Sequence, residues 1–267
     1  MGQILDFAVD TAREAGALLR RYAHQHHDVR HKSTDIDLVT EADLASERLI
    51  VAAIRKRFPR HTILAEEGQG DVQELVGEAE HLWLVDPLDG TVNYAHGLPV
   101  WGVSLALAEG GQVVVAVSYN QLRDEIFSAE RGQGAWLNGQ RLHVSAAGRL
   151  RDALVATGFA YRRATLAENN LAEFTAMMPR VQGVRRAGAA VIDMAHLACG
   201  RLDAYWEMHL QPWDWAAGWL LVEEAGGVVT DMRGQPWALQ KNNIAASNGQ
   251  ILHQKMLEVL QEAGRKR

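Results

Sequence analysis

Cysteine is nearly missing: Cys199 is the single one in 267 residues, which excludes an internal disulfide and fits a reducing compartment. Long apolar runs are missing too, so no window reaches membrane-span length. The opening segment MGQILDFAVDTAREAG turns acidic too early for a signal peptide. Position 6 is Asp6 and carries no hydroxyl, so the myristoylation pattern fails. A cytoplasmic setting is expected. Positive charge is also scarce. The formal net charge is −6, and no basic stripe precedes the terminal Arg265, Lys266 and Arg267, so no nucleic-acid partner is expected. The hydrolase signatures G-x-S-x-G and H-E-x-x-H do not occur.

What remains is an ordinary globular composition, 48% apolar and 22% charged, in a chain long enough for two lobes sharing a core. Apolar residues at Ile4, Leu5, Ala8, Val9, Ala12, Ala15, Leu18 and Leu19 predict a first helix. Thr40 and Asp43 have the spacing of a capping box opening a second helix to Phe58. TILAEEG and HLWLVDP read as strands ending in acid. Residues 100–145 follow period two with turn signals, among them Asn-Gly in GAWLNGQRLHVS, and predict antiparallel strands. Beyond residue 150 strands and helices alternate, with helices near 166–178, 189–199, from Trp213, and about 250–263. The expected organisation is an N-terminal lobe over 1–150 packed against a C-terminal lobe over 151–267, without a linker.

Carboxylates close several apolar runs: Asp37 and Asp43 in DLVTEAD, Glu66 and Glu67 in LAEEG, Asp86 and Asp89 in VDPLDGT, and Asp214 in WDWAAG. Singly, each reads as a turn or a cap. Together, acids delivered to strand ends converge at one sheet edge, and converging carboxylates call for a cation. Oxygen donors without thiolate or imidazole favour Mg²⁺ over zinc. A tight turn in DPLDG lets Asp86 and Asp89 point the same way, with the Leu88 carbonyl as a third oxygen. Gly90 and Thr91 then open a helical turn with amides for an anion, and the Thr91 hydroxyl can orient a water. This combination suits metal-assisted phosphoryl transfer to water.

These segments carry a resemblance. VDPLDGTVNYAHGLP and WDWAAGWLLVEEAGG resemble the two signatures of the inositol monophosphatase family, and DLVTEAD, AEEG and NIAASN fall in the family's order and spacing. The likeness spans about residues 5–260. It implies an α/β fold, the layered αβαβα sandwich of the inositol monophosphatase and fructose-1,6-bisphosphatase type. It implies Mg²⁺-dependent phosphomonoester hydrolysis with two or three ions per site, lithium inhibition and a homodimer. Carried over, Glu66, Asp86 and the Leu88 carbonyl match the ligands of one metal, and Asp86, Asp89 and Asp214 those of a second. Glu66 and Thr91 match the pair that orients the attacking water, with Asp43 behind them and Asp37 as its neighbour. Asp89, Gly90, Thr91 and Asp214 also match substrate contacts, as do Gly188, Ala189 and Ala190 in RRAGAAV and Glu207 in YWEM. Tyr94 stands where phenylalanine is common, and Ala189 replaces a threonine of some relatives, which bears on the substrate. The implied reaction is hydrolysis of myo-inositol 1-phosphate. The alternatives are 3′-phosphoadenosine 5′-phosphate, fructose 1,6-bisphosphate or histidinol phosphate, and outside catalysis a regulatory or RNA-associated binding module.

Other features read as structure. His24, His26, His27 and His31 cluster at the end of the first helix, where cations are favoured. Cys199 reads as a small core residue, and Trp213, Trp215 and Trp219 as packing. RGQGAWLNG is a turn between strands.

Overall fold

A computed structural model describes residues 2–23, 29–31, 38–68 and 72–265. Helix α1 (Gln3–Tyr22) buries Leu5, Ala8, Ala12, Ala15 and Leu19, the three-and-four spacing of one helical face. The short strands β1 (Val29–His31) and β2 (Leu38–Thr40) pair antiparallel. Thr40 caps α2 (Glu41–Arg57) and the capping box with Asp43 is present, the Asp43 carboxylate accepting from the Thr40 amide at 2.9 Å. Asp37, His24, His26 and His27 lie outside the described residues.

After β3 (Thr62–Ala65) and α3 (Val72–Glu78) comes β4 (His81–Asp89), then α4 (Thr91–Ala95). The antiparallel run follows as β5 (Gly102–Glu109), β6 (Gln112–Asn120), β7 (Glu125–Glu130), β8 (Ala135–Leu137) and β9 (Gln140–Arg141). Strands β3 to β9 form one seven-stranded sheet in simple sequence order, antiparallel except for β3 against β4. The β8–β9 turn is Asn138-Gly139, both at positive φ (49° and 81°), as a primed hairpin turn requires.

The second sheet contains β10 (Leu154–Thr157), β11 (Gly183–Arg185), β12 (Ala204–Met208), β13 (Val228–Thr230) and β14 (Asn243–Ser247), in the order β11-β10-β12-β14-β13. Its helices are α5 (Leu171–Met177), α6 (Ala190–Ala198), α7 (Pro212–Glu224) and α8 (Gln250–Arg265). The helix expected from 166 starts only at Leu171, because the buried Asn170 sits in the left-handed region at φ 69°. Strands β1 and β11 and helix α3 were not expected: they are too short for a periodic signal.

Side-chain alternation sets the layers. Along β4, Trp83 and Val85 face α1 and α2, while Leu82 and Leu84 face α6 and α7, the period of two that a strand imposes. A strand covered on both faces must be apolar on both, which is why WLV is unbroken. Helices α6 and α7 fill the gap between the sheets, with Met194, Trp215 and Leu220 touching the same core as Phe127 of one sheet and Tyr205 of the other. The far side of the small sheet packs Trp206 and Ala245 against Met177, Leu252 and Met256 of α5 and α8. The result is the αβαβα stack. Trp215 and Trp219 pack together with ring centroids 6.1 Å apart, and Trp213 is buried beside them. Cys199 is only half-buried, at the end of α6. No helix among the described residues is long and apolar enough to cross a membrane.

Candidate active site

The end of β4 does not form the tight turn expected from DPLDG. The strand continues to Asp89 through a bulge: Asp86 stands opposite Ser104 and Asp89 opposite Gly102, so β4 takes three steps where β5 takes two. In an unbroken strand, residues three apart point to opposite faces. The extra residue reverses the phase. Leu88 shows the reversal, since it packs in the core with the odd-numbered Trp83 and Val85. Asp86 and Asp89 are thereby left lining one cavity. The Leu88 amide donates to Asp86 Oδ1 at 3.0 Å, and Ser46 of α2 donates to the Pro87 carbonyl at 2.8 Å. Gly90, at φ 85°, is where the chain leaves the strand. A Cβ there would lie 2.8 Å from the Val100 carbonyl oxygen, so glycine is required on both counts.

The neighbouring elements bring the other acids. Parallel pairing of β3 with β4 sets Ala65 beside Val85, and the Glu66 amide donates to the Val85 carbonyl at 3.2 Å, which leaves Glu66 next to Asp86. The Thr91 hydroxyl lies 2.9 Å from Asp43 Oδ1 and 3.0 Å from the Leu88 carbonyl oxygen. The capping acid of α2 therefore reaches the first residue of α4. Asp214 sits in the first turn of α7, where its carboxylate accepts from the Gln211 amide at 2.7 Å. Asp89 accepts from the Val191 amide of α6 at 2.8 Å.

The opposite wall belongs to the second sheet and α6. Gly188, Ala189 and Ala190 lead into α6, and Glu207 projects from β12; all four line the cavity. Tyr205 donates to the Glu207 carboxylate. Gly158 lies so close beneath that carboxylate that any side chain there would collide with it. The Asn93 side-chain amide donates to the carbonyls of Val100 (2.7 Å) and Ala187 (2.9 Å), joining the exit of the large sheet to the entry of α6.

The cavity holds about 600 Å³. Glu66, Asp86, Asp89 and Asp214 line it together. Burial pushes the Asp86 carboxyl well above the usual carboxylate range, and Glu66, Asp89 and Asp214 add to the effect. Asp89 is raised in the same direction, by burial first and Asp214 next. Two carboxyls that burial and neighbouring acids both disfavour in the charged form mark a place that suits a cation. The donors are all oxygen, which fits Mg²⁺. Among the described residues no three such side chains are drawn into a closed metal cage. Mg²⁺ does not need one, since it keeps waters and takes substrate oxygens.

Thus Glu66, Asp86, Leu88, Asp89, Gly90, Thr91, Gly188, Ala189, Ala190, Glu207 and Asp214 line one cavity, and Asp43 stands behind Thr91. Glu67 turns elsewhere, its amide donating to Glu47 at 2.8 Å. Sequence reasoning missed Ser46, Asn93, Asp193, Arg186 and Gly158. Only Ser46 left a trace: it lies three residues after Asp43, on the buried face of α2.

The inositol monophosphatase family matches residues 1–265. Nus factor SuhB of Pseudomonas aeruginosa is 44% identical over 251 residues, 93% of this chain and 92% of its own. The inositol-1-monophosphatase of a Synechocystis species is 42% identical over 259 residues, 96% of this chain and 88% of its own. The solved inositol monophosphatase from Anabaena superposes with a TM-score of 0.85 at 41% identity, covering 97% of this chain and 95% of that one. Full-length family match, close relatives and shared layers agree, and the chain belongs to the inositol monophosphatase family as a phosphatase of that family.

Proposed function

We propose that this chain is a cytoplasmic, homodimeric phosphomonoesterase that hydrolyses a small polyol phosphate, with myo-inositol 1-phosphate as its substrate. The observation that carries the reading is the set of four mutually repelling carboxylates beside the Thr91–Asp43 contact. In this reading residues 1–150 carry most metal ligands and residues 151–267 supply Asp214 and the substrate wall. Glu66, Asp86, the Leu88 carbonyl, Asp89 and Asp214 would hold Mg²⁺. When bound, the metal polarises the phosphate and lowers the pKa of a coordinated water.

The chain's own residues do the rest. Thr91, oriented by Asp43, and Glu66 position the attacking water and accept its proton. The Gly90 and Thr91 amides face the phosphate. Glu207 and the backbone of Gly188, Ala189 and Ala190 hold the alcohol part. A P–O bond to water forms, the ester P–O bond breaks, and the departing alkoxide takes up a proton. The test is phosphate release from myo-inositol 1-phosphate, which should require Mg²⁺ and stop with chelator. No Mg²⁺-dependent release from that ester, 3′-phosphoadenosine 5′-phosphate, fructose 1,6-bisphosphate or histidinol phosphate would overturn the reading. The name Nus factor carried by the Pseudomonas relative supports a binding role beside catalysis. That role predicts that an inactive chain still serves its host; complete loss of function in such a strain would refute it.

A further inference from the structure

The large sheet carries two serines where its other side chains are apolar. On the face turned to α6 and α7, one row across the strands is Leu84, Ala106, Ala116 and Ala129, all in the core. The next row on that face changes character. Asp86 stands opposite Ser104, Ser104 opposite Ser118, and Ser118 opposite Phe127. Side chains two apart along a strand share a face, so Asp86, Ser104 and Ser118 lie side by side on β4, β5 and β6. Asp86 and Ser104 form the last regular pair before the bulge.

Only one end of this row is open. Asp86 lines the cavity, whereas Ser104 is 1% exposed and Ser118 0%. Among the described residues neither serine hydroxyl has a hydrogen-bond partner, although buried hydroxyls are ordinarily bonded. The row itself contains a suitable acceptor. Residues directly opposite on antiparallel strands have Cβ atoms about 4.5–5.5 Å apart, within reach of a serine hydroxyl turned toward a carboxylate. Asp86 Oδ1 accepts from the Leu88 amide at 3.0 Å, and the carboxyl also bonds to Glu66. A cation between these two acids would replace the bond to Glu66 and free an Asp86 oxygen.

We propose that Ser104 is a positioning residue for Asp86: with Mg²⁺ bound, its hydroxyl donates to the Asp86 carboxylate and accepts from Ser118, which fixes the direction from which Asp86 meets the metal. This rests on the Mg²⁺ reading of Asp86 given above. Rotation about one bond brings each hydroxyl into place. A carboxylate ligand that is itself hydrogen-bonded keeps one orientation, and removing such a support weakens metal binding about 10–100-fold. The two serines are thus unbonded in the metal-free fold, and their bonds form with the bound ion.

The experiment compares the full-length protein with Ser104→Ala, Ser118→Ala and Asp86→Asn. Mg²⁺ is titrated by calorimetry, and thermal melts are recorded with and without it. For Ser104→Ala the Mg²⁺ Kd should rise about tenfold. Its melting temperature without Mg²⁺ should equal or exceed that of the unmodified chain, because the substitution removes a buried hydroxyl that has no partner. Ser118→Ala, one step further from the metal, should weaken binding less. A Kd for Ser104→Ala within about twofold of the unmodified value would overturn the proposal. So would a melting temperature lowered equally with and without Mg²⁺, the mark of a hydroxyl that serves the fold alone. If Ser104→Ala does not fold, Ser104→Cys keeps the shape with a weaker donor and decides by the same two measurements. Mg²⁺ binding lost in Asp86→Asn but unchanged in Ser104→Ala would leave the metal reading standing and remove Ser104 from it. No Mg²⁺ binding by the unmodified protein would overturn both.

Discussion

The two walls of the cavity are built in opposite ways. The metal-facing wall comes from one stretch of chain, residues 86–91 at the end of β4, supported by Glu66 on the adjoining strand and Asp43 behind. The facing wall is assembled from separated elements, with Gly188, Ala189 and Ala190 at the entry of α6 and Glu207 on β12, while Asp214 on α7 reaches across to the metal-facing acids. Reactive chemistry needs fixed distances among a few atoms, and a single bulged strand supplies them at low conformational cost. Recognition of an alcohol needs surface, and surface comes from several elements. The difference predicts that substitutions on the first wall act on kcat and those on the second on KM.

Three substitutions probe this division. Asp86→Asn should have the largest effect, lowering kcat by at least about a hundredfold. Because burial already disfavours the charged form of Asp86, the amide should not lower the melting temperature of metal-free protein. Full activity in that variant would remove Asp86 from the metal site. Glu207→Gln should come next, raising KM for a polyol ester by about tenfold with a smaller change in kcat. It also has a pH signature. The Glu207 carboxyl is pushed up to about 7 by burial, against an ordinary value of 4.5. A carboxyl that binds its proton more tightly when folded stabilises the fold below the unfolded value and loses that contribution as pH rises through the folded one. Relative to Glu207→Gln, the unmodified chain should therefore lose stability between about pH 4.5 and 7, by on the order of 3 kcal/mol. Parallel thermal melts across that range would check it; a constant gap would show that Glu207 titrates normally. Gly90→Ala should have the smallest effect, costing about 1–3 kcal/mol of stability through its positive φ and the clash with Val100. Chemical denaturation would measure it, and no loss would mean that the β4 exit can relax.

This division also explains what could be read from the sequence. The αβαβα class was legible through the resemblance to a known family, and most long elements through their own patterns, since α1, α2 and β4 to β7 have clear periods and caps. The first wall was legible as well, because Asp86, Asp89, Gly90 and Thr91 are neighbours in the chain. Its mechanism was not. Two aspartates three residues apart suggested a turn, and the bulge that places them on one side exists only in the register between β4 and β5. On the second wall, Asp193 sits within an apolar helix and looks like an ordinary first-turn acid. That it lines the cavity with Glu207 appears only when β12 and α6 are packed together. Asn93, in NYAHGLP, gives no hint that its acceptors include a residue 94 positions away.

Asn93 has a mechanical consequence. Its one amide nitrogen is shared between the loop after α4 and the approach to α6, so it acts as a strut between the two sheets. Any sliding of one sheet past the other would strip a buried amide of its acceptors, at a cost of about 1–3 kcal/mol. Shear between the sheets is thus a poor way to open this cleft. The segment over 158–169, which lines the cavity through Phe159, Tyr161 and Arg162, is itself tied near its end by the His209 ring against the Glu168 carbonyl at 2.6 Å. A single side chain thus holds the reacting groups at a fixed distance from the wall that faces them.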